Sequence, residues 1–443
     1  MSRAAKWSLT IVILLVVVAA GVALFAHEPE IPTASIDPKQ FPEEQVRRGQ
    51  EVASASMCVV CHTAPGGAVN AGGFHMETPF GVIVSTNITP DAETGIGGWS
   101  FEAFERAMRR GVARDGTHLY PAFPYTSFTK MTDEDMRDLY AYMMSQPPVR
   151  NEPQATRLPF PFNQRVLMAG WNLLFLDRDP VAKVASESEA WNRGQYLAVA
   201  LGHCSACHTP RNALGAEEGG KSYLGGGSAE GWIAPALNAS SKAPIAWTEQ
   251  ALFDYLRSGY SDQHGAAGAS MTPVVRVGTS QIAEADTRAL ATYIASQMAG
   301  AAQQGKSGPT PQQREAAAQA AVATTGTLGA RIYANACAAC HHPGPGGPDL
   351  FGTQPPLWLA TSLNLDQPDN VIRYVLNGTQ HDAGNPRGGH MPGYAYALND
   401  AQVTAVVQFM RESFTGQPAW SGVQDAVKRI RGEYPLALQG RGE

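Results

Sequence analysis

Outside one repeated pattern this sequence has no cysteine: there are six in 443 residues, and every one belongs to Cys-x-x-Cys-His. None is left for a separate disulfide framework, which would not in any case place a histidine after every second cysteine. A phosphate-cradling loop, a dinucleotide fingerprint in strand–helix context and a nucleophile–base constellation are also absent, which removes the common enzyme readings that rest on them. Neither sign of charge dominates. Lys and Arg number 33 against 39 Asp and Glu, for a net charge of −6. With no basic stripe, nucleic acid is not expected as a partner.

What is present is the pattern itself, at Cys58–His62, Cys204–His208 and Cys337–His341. Two thiols separated by two residues on a helical turn match the spacing of two vinyl groups on a porphyrin edge. The following imidazole can reach the iron. A redox dithiol or half a zinc site has the same cysteine spacing. A zinc site needs such pairs close in sequence, however, and these start 146 and 133 residues apart (58 to 204, 204 to 337). Each copy therefore reads as an attachment site for one c-type haem. The expectation is three covalent haems on Cys58, Cys61, Cys204, Cys207, Cys337 and Cys340, with His62, His208 and His341 as proximal iron ligands.

At this length about three domains are expected, and longer repeats surround the motifs. Arg48-Gly49-Gln50 and Arg193-Gly194-Gln195 precede the first two, with a looser third copy at Gly329–Tyr333. Each begins a helix carrying the haem cysteines at its C-terminal end. A second helix ends on glycine in each repeat (101–111, 248–259, 370–378), as a left-handed cap requires. A third closes each repeat (132–145, 282–297, 399–411), with Thr132 and Asn399 in its N-cap regions. This order of helices resembles the class I cytochrome c fold. The resulting division is an anchor at 1–28, domains at 44–150, 186–300 and 328–415, an apolar segment at 151–185, a linker at 301–327 and a tail at 416–443. The Ala/Gln/Gly-rich linker, partly helical at 312–323, implies that the third domain moves relative to the other two.

Residues 7–26 form an uncharged apolar run of 20, preceded by Arg3 and Lys6. Its length suits an uncleaved transmembrane helix better than a signal peptide, and the flanking charges put the remainder of the chain outside the cytoplasm. The fold expectation is thus all-α, three tandem cytochrome c domains behind one N-terminal transmembrane helix. The expected location is the bacterial cytoplasmic membrane, single-pass, with the haem domains in the periplasm.

The sixth iron ligand is located by counting from the glycine that ends each second helix. Met271 lies 12 residues past Gly259, and Met391 lies 13 past Gly378. Each is followed closely by proline. A thioether at that position raises the potential and blocks small ligands. The same count in the first module lands on Phe123, which cannot bind iron, so His118 is the substitute candidate, ahead of Met76, Met108 and Met131. A proximal histidine also needs an acceptor for its far N–H. Pro235-Ala236-Leu237 and Pro348-Asp349-Leu350 match the Pro-x-Leu turn of the cytochrome c fold. The first module offers 85–90 instead.

Several stretches, among them 61–67, 78–81, 85–91, 94–97, 115–121 and 207–212, resemble the triheme cytochrome c subunit of bacterial membrane-bound dehydrogenases. The resemblance implies an electron-transfer subunit, not itself catalytic. It would take electrons from a catalytic subunit, and possibly a small iron–sulfur subunit, and pass them to ubiquinone or a terminal oxidase. Phe123 points toward the branch that accompanies molybdenum-containing aldehyde or heteroaromatic oxidoreductases, more than toward PQQ-dependent alcohol or flavin-dependent sugar-acid dehydrogenases. Two other readings remain open: a haem enzyme working at an open iron in the first module, and a quinol-oxidising module using 158–176.

Overall fold

The first helix of each repeat crosses the last with backbone against backbone. A Cβ on Gly49 would lie 1.9 Å from the Asp138 carbonyl oxygen, and one on Gly194 would lie 1.9 Å from that of Ala289. On Gly329 it would lie 2.2 Å from that of Ala405. The repeated glycine is therefore the crossing point of the two helices. The preceding arginine staples them: Arg48 donates to both carboxylate oxygens of Asp138 (2.6 and 3.1 Å), and Arg193 to both of Asp286 (2.9 and 2.6 Å).

The computed structural model describes residues 7, 21, 26–299, 309–323, 326–344, 356–379 and 391–438. The first module contains helices Glu43–Ala55, Cys58–His62, Phe101–Arg110, Tyr125–Phe128 and Asp133–Met144. The second contains Glu189–Tyr196, running on through a wider turn at Leu197–Leu201, then Ser205–His208, Glu249–Ser258 and Glu284–Met298. The third contains Leu328–Ile332, Asp369–Asn377 and Asp400–Thr415. The caps follow the sequence signals. Thr132 and Asn399 accept the N–H three residues on, and Gly111 and Gly259 close their helices at φ 63° and 76°.

Two compact units form, one of residues 1–53 with 61–182 and the other of residues 54–60 with 183–443. The core of the first holds Phe104, Met136, Leu139 and Tyr140, the last receiving Phe41 and Phe101 edge-on at 5.8 and 5.5 Å. In the second unit Leu201, Leu256, Leu290 and Met298 fill the second module, and Tyr333, Ile372, Leu376, Val403 and Val407 the third. Each such apolar side chain contributes about 1.5–3 kcal/mol on full burial.

Several expectations are corrected. The chain is not all-α: antiparallel ribbons pair His75–Thr78 with Gly81–Val84, Gly227–Ala229 with Trp232–Ala234, and Tyr260–Ser261 with Gly265–Ala266. The cysteines do not simply end the first helix. Met57 and His203, each directly before its motif, are left-handed (φ 53° and 35°) and turn the chain sharply.

The expectation of an N-terminal transmembrane helix, and with it of a single-pass membrane protein, is corrected. Among the described residues no helix is long and apolar enough to cross a membrane. A span needs about 20 residues, and the apolar helix Leu167–Phe175 has 9. Of the run 7–26 only Trp7, Gly21 and Ala26 are described, so that segment otherwise lies outside the described residues.

The 301–327 linker contains a capped helix, Pro311–Val322, whose Ala318 is fully buried in the third module's core. The 416–443 tail contains the helix Val423–Leu438, which buries Val423, Val427 and Ile430 there.

Candidate functional site

Residues 58–62 form a single helical turn, which brings His62 round to the carbonyl of Thr86. Its Nδ1 lies 2.7 Å from that oxygen, and His208 Nδ1 lies 2.7 Å from the carbonyl of Pro235. A carbonyl only accepts, so the neutral rings carry their proton on Nδ1. Each Nε2 then keeps its lone pair for a metal. Burial pushes both imidazoles below the ordinary histidine range, only partly offset by these hydrogen bonds, so each ring is held neutral. Pro235 is the acceptor read from the Pro-x-Leu turn. Thr86 is the first module's counterpart, in a stretch where no proline marks it. Pro348 and Leu350 lie outside the described residues.

None of the six cysteines forms a disulfide. Burial, with the neighbouring Cys207 second, pushes the Cys204 thiol up to about 12. Burial likewise pushes Cys337 up to about 11, with Cys340 adding to it, and raises Cys207. In the third motif the buried Tyr333 donates its hydroxyl to the His341 carbonyl. A pair of thiols followed by an imidazole whose Nε2 keeps its lone pair is the donor set that haem c requires, and the first two sites fit it.

Past the glycine caps of the second helices, two of the loops share one closure. Leu119 N–H donates to the Gly111 carbonyl and Ala267 N–H to the Gly259 carbonyl, each at 2.7 Å. Four residues further on stand Phe123 and Met271, which are therefore equivalent positions. Met271 opens the turn Met271–Pro273, with its N–H on the Gly268 carbonyl at 3.1 Å. Met391 is held by Thr379, whose N–H donates to the Met391 carbonyl (2.9 Å) and whose Oγ1 accepts from the Met391 N–H (3.1 Å).

Phe123 packs among aromatics instead, with ring centroids 5.5 Å from Phe128 and 6.2 Å from Tyr125. Tyr125 in turn donates to Asn172 Oδ1 at 2.7 Å, which pins the apolar segment to the first unit. Phe160, Leu173 and Leu174 of that segment stay exposed. The buried His118 directs Nε2 at the Ala26 carbonyl (2.9 Å), while its Nδ1 has no partner. Met108 and Met131 are buried, and Met76 lies on the first ribbon.

The structure also shows residues that no sequence signal singled out for a role. His203 Nε2 lies 3.3 Å from the Ser56 carbonyl, and its position directly before Cys204 is the available signal. His264 stacks on Trp247 at 3.5 Å and 10°. Asn370 is visible in the sequence only as the start of a helix.

The family Cytochrome c matches residues 46–147 and 192–298, and the family Cytochrome C oxidase, cbb3-type, subunit III matches residues 324–410. Each matched segment holds one Cys-x-x-Cys-His. The chain is 48% identical over 387 residues to a nicotinate dehydrogenase subunit of Pseudomonas putida, covering 87% of this chain and 32% of that protein. It thus spans about a third of that relative's length. It is 37% identical to the gluconate 2-dehydrogenase cytochrome c subunit of Pantoea cypripedii, covering 93% of this chain and 95% of that one. Identity to the alcohol dehydrogenase (quinone) cytochrome c subunit of Gluconobacter oxydans is 34%, covering 90% and 84%.

Proposed function

We propose that this chain, which belongs to the family of cytochrome c subunits of dehydrogenases, carries three covalently bound haem c groups and relays electrons from a dehydrogenase catalytic subunit to ubiquinone or a terminal oxidase. The observation that carries this is the pair of proximal imidazoles, each with Nδ1 committed to a carbonyl 2.7 Å away. That commitment sets ring orientation and leaves Nε2 for iron.

Haem c, when bound, supplies one-electron ferric/ferrous chemistry. The chain does the rest. The thiols of Cys58, Cys61, Cys204, Cys207, Cys337 and Cys340 would hold it, and His62, His208 and His341 would each offer a ring nitrogen to its iron. Met271 and Met391 offer thioethers to the second and third irons. In the first module Phe123 offers nothing, and His118 is the candidate sixth ligand through Nδ1, the ring nitrogen without a partner. The identity to the nicotinate dehydrogenase subunit, 48% against 37% and 34% for the gluconate and alcohol relatives, favours a catalytic partner of the molybdenum-containing aldehyde or heteroaromatic type. A small iron–sulfur subunit would fit between that partner and the haems.

The test is the complex isolated through a tag on this chain. Intact mass should show three haems on it, and an aromatic aldehyde or a pyridine carboxylate should reduce them. Reduction by gluconate or ethanol alone would move the assignment to another branch, and a chain carrying no haem would end it. Phe123 at the position of Met271 also supports a second reading, in which an open first iron does chemistry of its own. Rapid carbon monoxide binding to one reduced haem, with turnover by the isolated chain, would select that reading.

A further inference from the structure

Within the unit formed by residues 54–60 and 183–443, the second and third modules meet along a built seam. Asn370, buried in the first turn of the helix Asp369–Asn377, spends both ends of its amide on one residue. Its Oδ1 accepts from Ile233 N–H at 2.9 Å, and its Nδ2 donates to the Ile233 carbonyl at 2.9 Å. A neighbouring strand would offer the same pair of bonds. Here a side chain supplies it to a ribbon three residues long on each side.

The rest of the same helix face follows suit. Tyr374 packs on Trp232 with centroids 4.8 Å apart, and Arg373 lies over the Trp232 ring at 5.9 Å while pairing with Glu433 at 2.6 Å. A Cβ on Gly268 would meet the Tyr374 hydroxyl at 2.3 Å.

These contacts flank the ligands of the second site on both sides. Pro235, whose carbonyl takes the His208 proton, is two residues past Ile233. Met271 is three past Gly268. At its far end the helix runs into Gly378, where an added Cβ would sit 2.1 Å from the Met391 carbonyl oxygen.

We infer that Asn370 is a positioning residue for the haem of the second module: it acts through Ile233 to hold the Pro235 carbonyl against His208. The inference rests on the proposal that this site binds haem. A two-stranded ribbon is marginal on its own. Without the amide the Pro235 carbonyl drifts, and the hydrogen bond that enriches the imidazole weakens. The ferric state is then less favoured, so the potential of the second haem rises while the other two hold still.

The experiment is spectroelectrochemical titration of the full haem-loaded chain carrying Asn370→Leu. The second haem's wave is identified by its displacement in Met271→His. The expected result is an upward move of that wave alone, by about a threefold change in the ferric/ferrous ratio, or roughly 28 mV at about 59 mV per tenfold for one electron. Asn370→Gln, which keeps the amide, should restore part of it. Asn370→Ser is read the same way if the leucine variant does not accumulate. A fully loaded chain whose second wave stays put, or whose three waves shift together, overturns the role of Asn370. A wild-type chain lacking the second haem defeats the haem reading and this inference with it.

Discussion

The Cα of Gly194 faces the carbonyl of Ala289 so closely that a methyl group there would sit 1.9 Å from the oxygen. That oxygen belongs to a helix backbone, which cannot swing aside as a side chain end would. Gly194→Ala should therefore destabilise the second module by about 1–3 kcal/mol, the range for forced overpacking. Guanidinium unfolding of the haem-loaded chain, followed at the haem absorbance, reads this directly. An unchanged midpoint would show that the helices part freely.

Thioether ligation predicts a count. The wild-type ferric chain should show two thioether-to-iron charge-transfer bands per molecule, one from Met271 and one from Met391. Met391→Leu should leave one. Phe123→Met, at the position the Gly111–Leu119 closure makes equivalent to Met271, should add a third. Three bands in the wild type would remove both the Phe123 gap and the role of His118.

His118 has a test of its own. If its free Nδ1 reaches the first iron, His118→Ala should turn about one third of the ferric haem high-spin in its electron paramagnetic resonance spectrum. A spectrum that stays wholly low-spin leaves the ring with only its bond to Ala26.

Covalent attachment is checked module by module. Cys204→Ala combined with Cys207→Ala should lower the haem stain per chain by about a third, and acid acetone should then extract no pigment from the remaining two sites. Loss of all haem from that variant would mean the modules do not load independently.

Acid should act through His264. Burial lowers its pKa from 6.5 to about 4, with a backbone contact at Ala246 opposing. The unfolded chain takes up that proton below about 6.5, whereas the folded chain resists until about 4. Stability from the neutral ring is full above 6.5 and is lost as pH falls toward 4, by up to about 3 kcal/mol. Melting curves at pH 7.5 and 5 compare wild type with His264→Phe, which keeps a ring on Trp247. Equal losses in the two proteins would refute the assignment.

Residue order alone held the three Cys-x-x-Cys-His patterns, because thiol spacing and the adjacent imidazole are covalent facts that no folding alters. Also legible there were helix ends, since Thr132, Asn399, Gly111 and Gly259 act on their nearest neighbours, and the helix-to-methionine count that isolates Phe123. Tertiary structure decided what depends on distant partners. Thr86 rather than a proline accepts from His62, antiparallel ribbons interrupt the helices among the described residues, and the helices Pro311–Val322 and Val423–Leu438 pack on the third module. Asn370 reaches across 137 residues of chain to Ile233. Such contacts leave no local period or motif, because they form only when separately folded surfaces meet and each polar group must find whatever partner lies opposite.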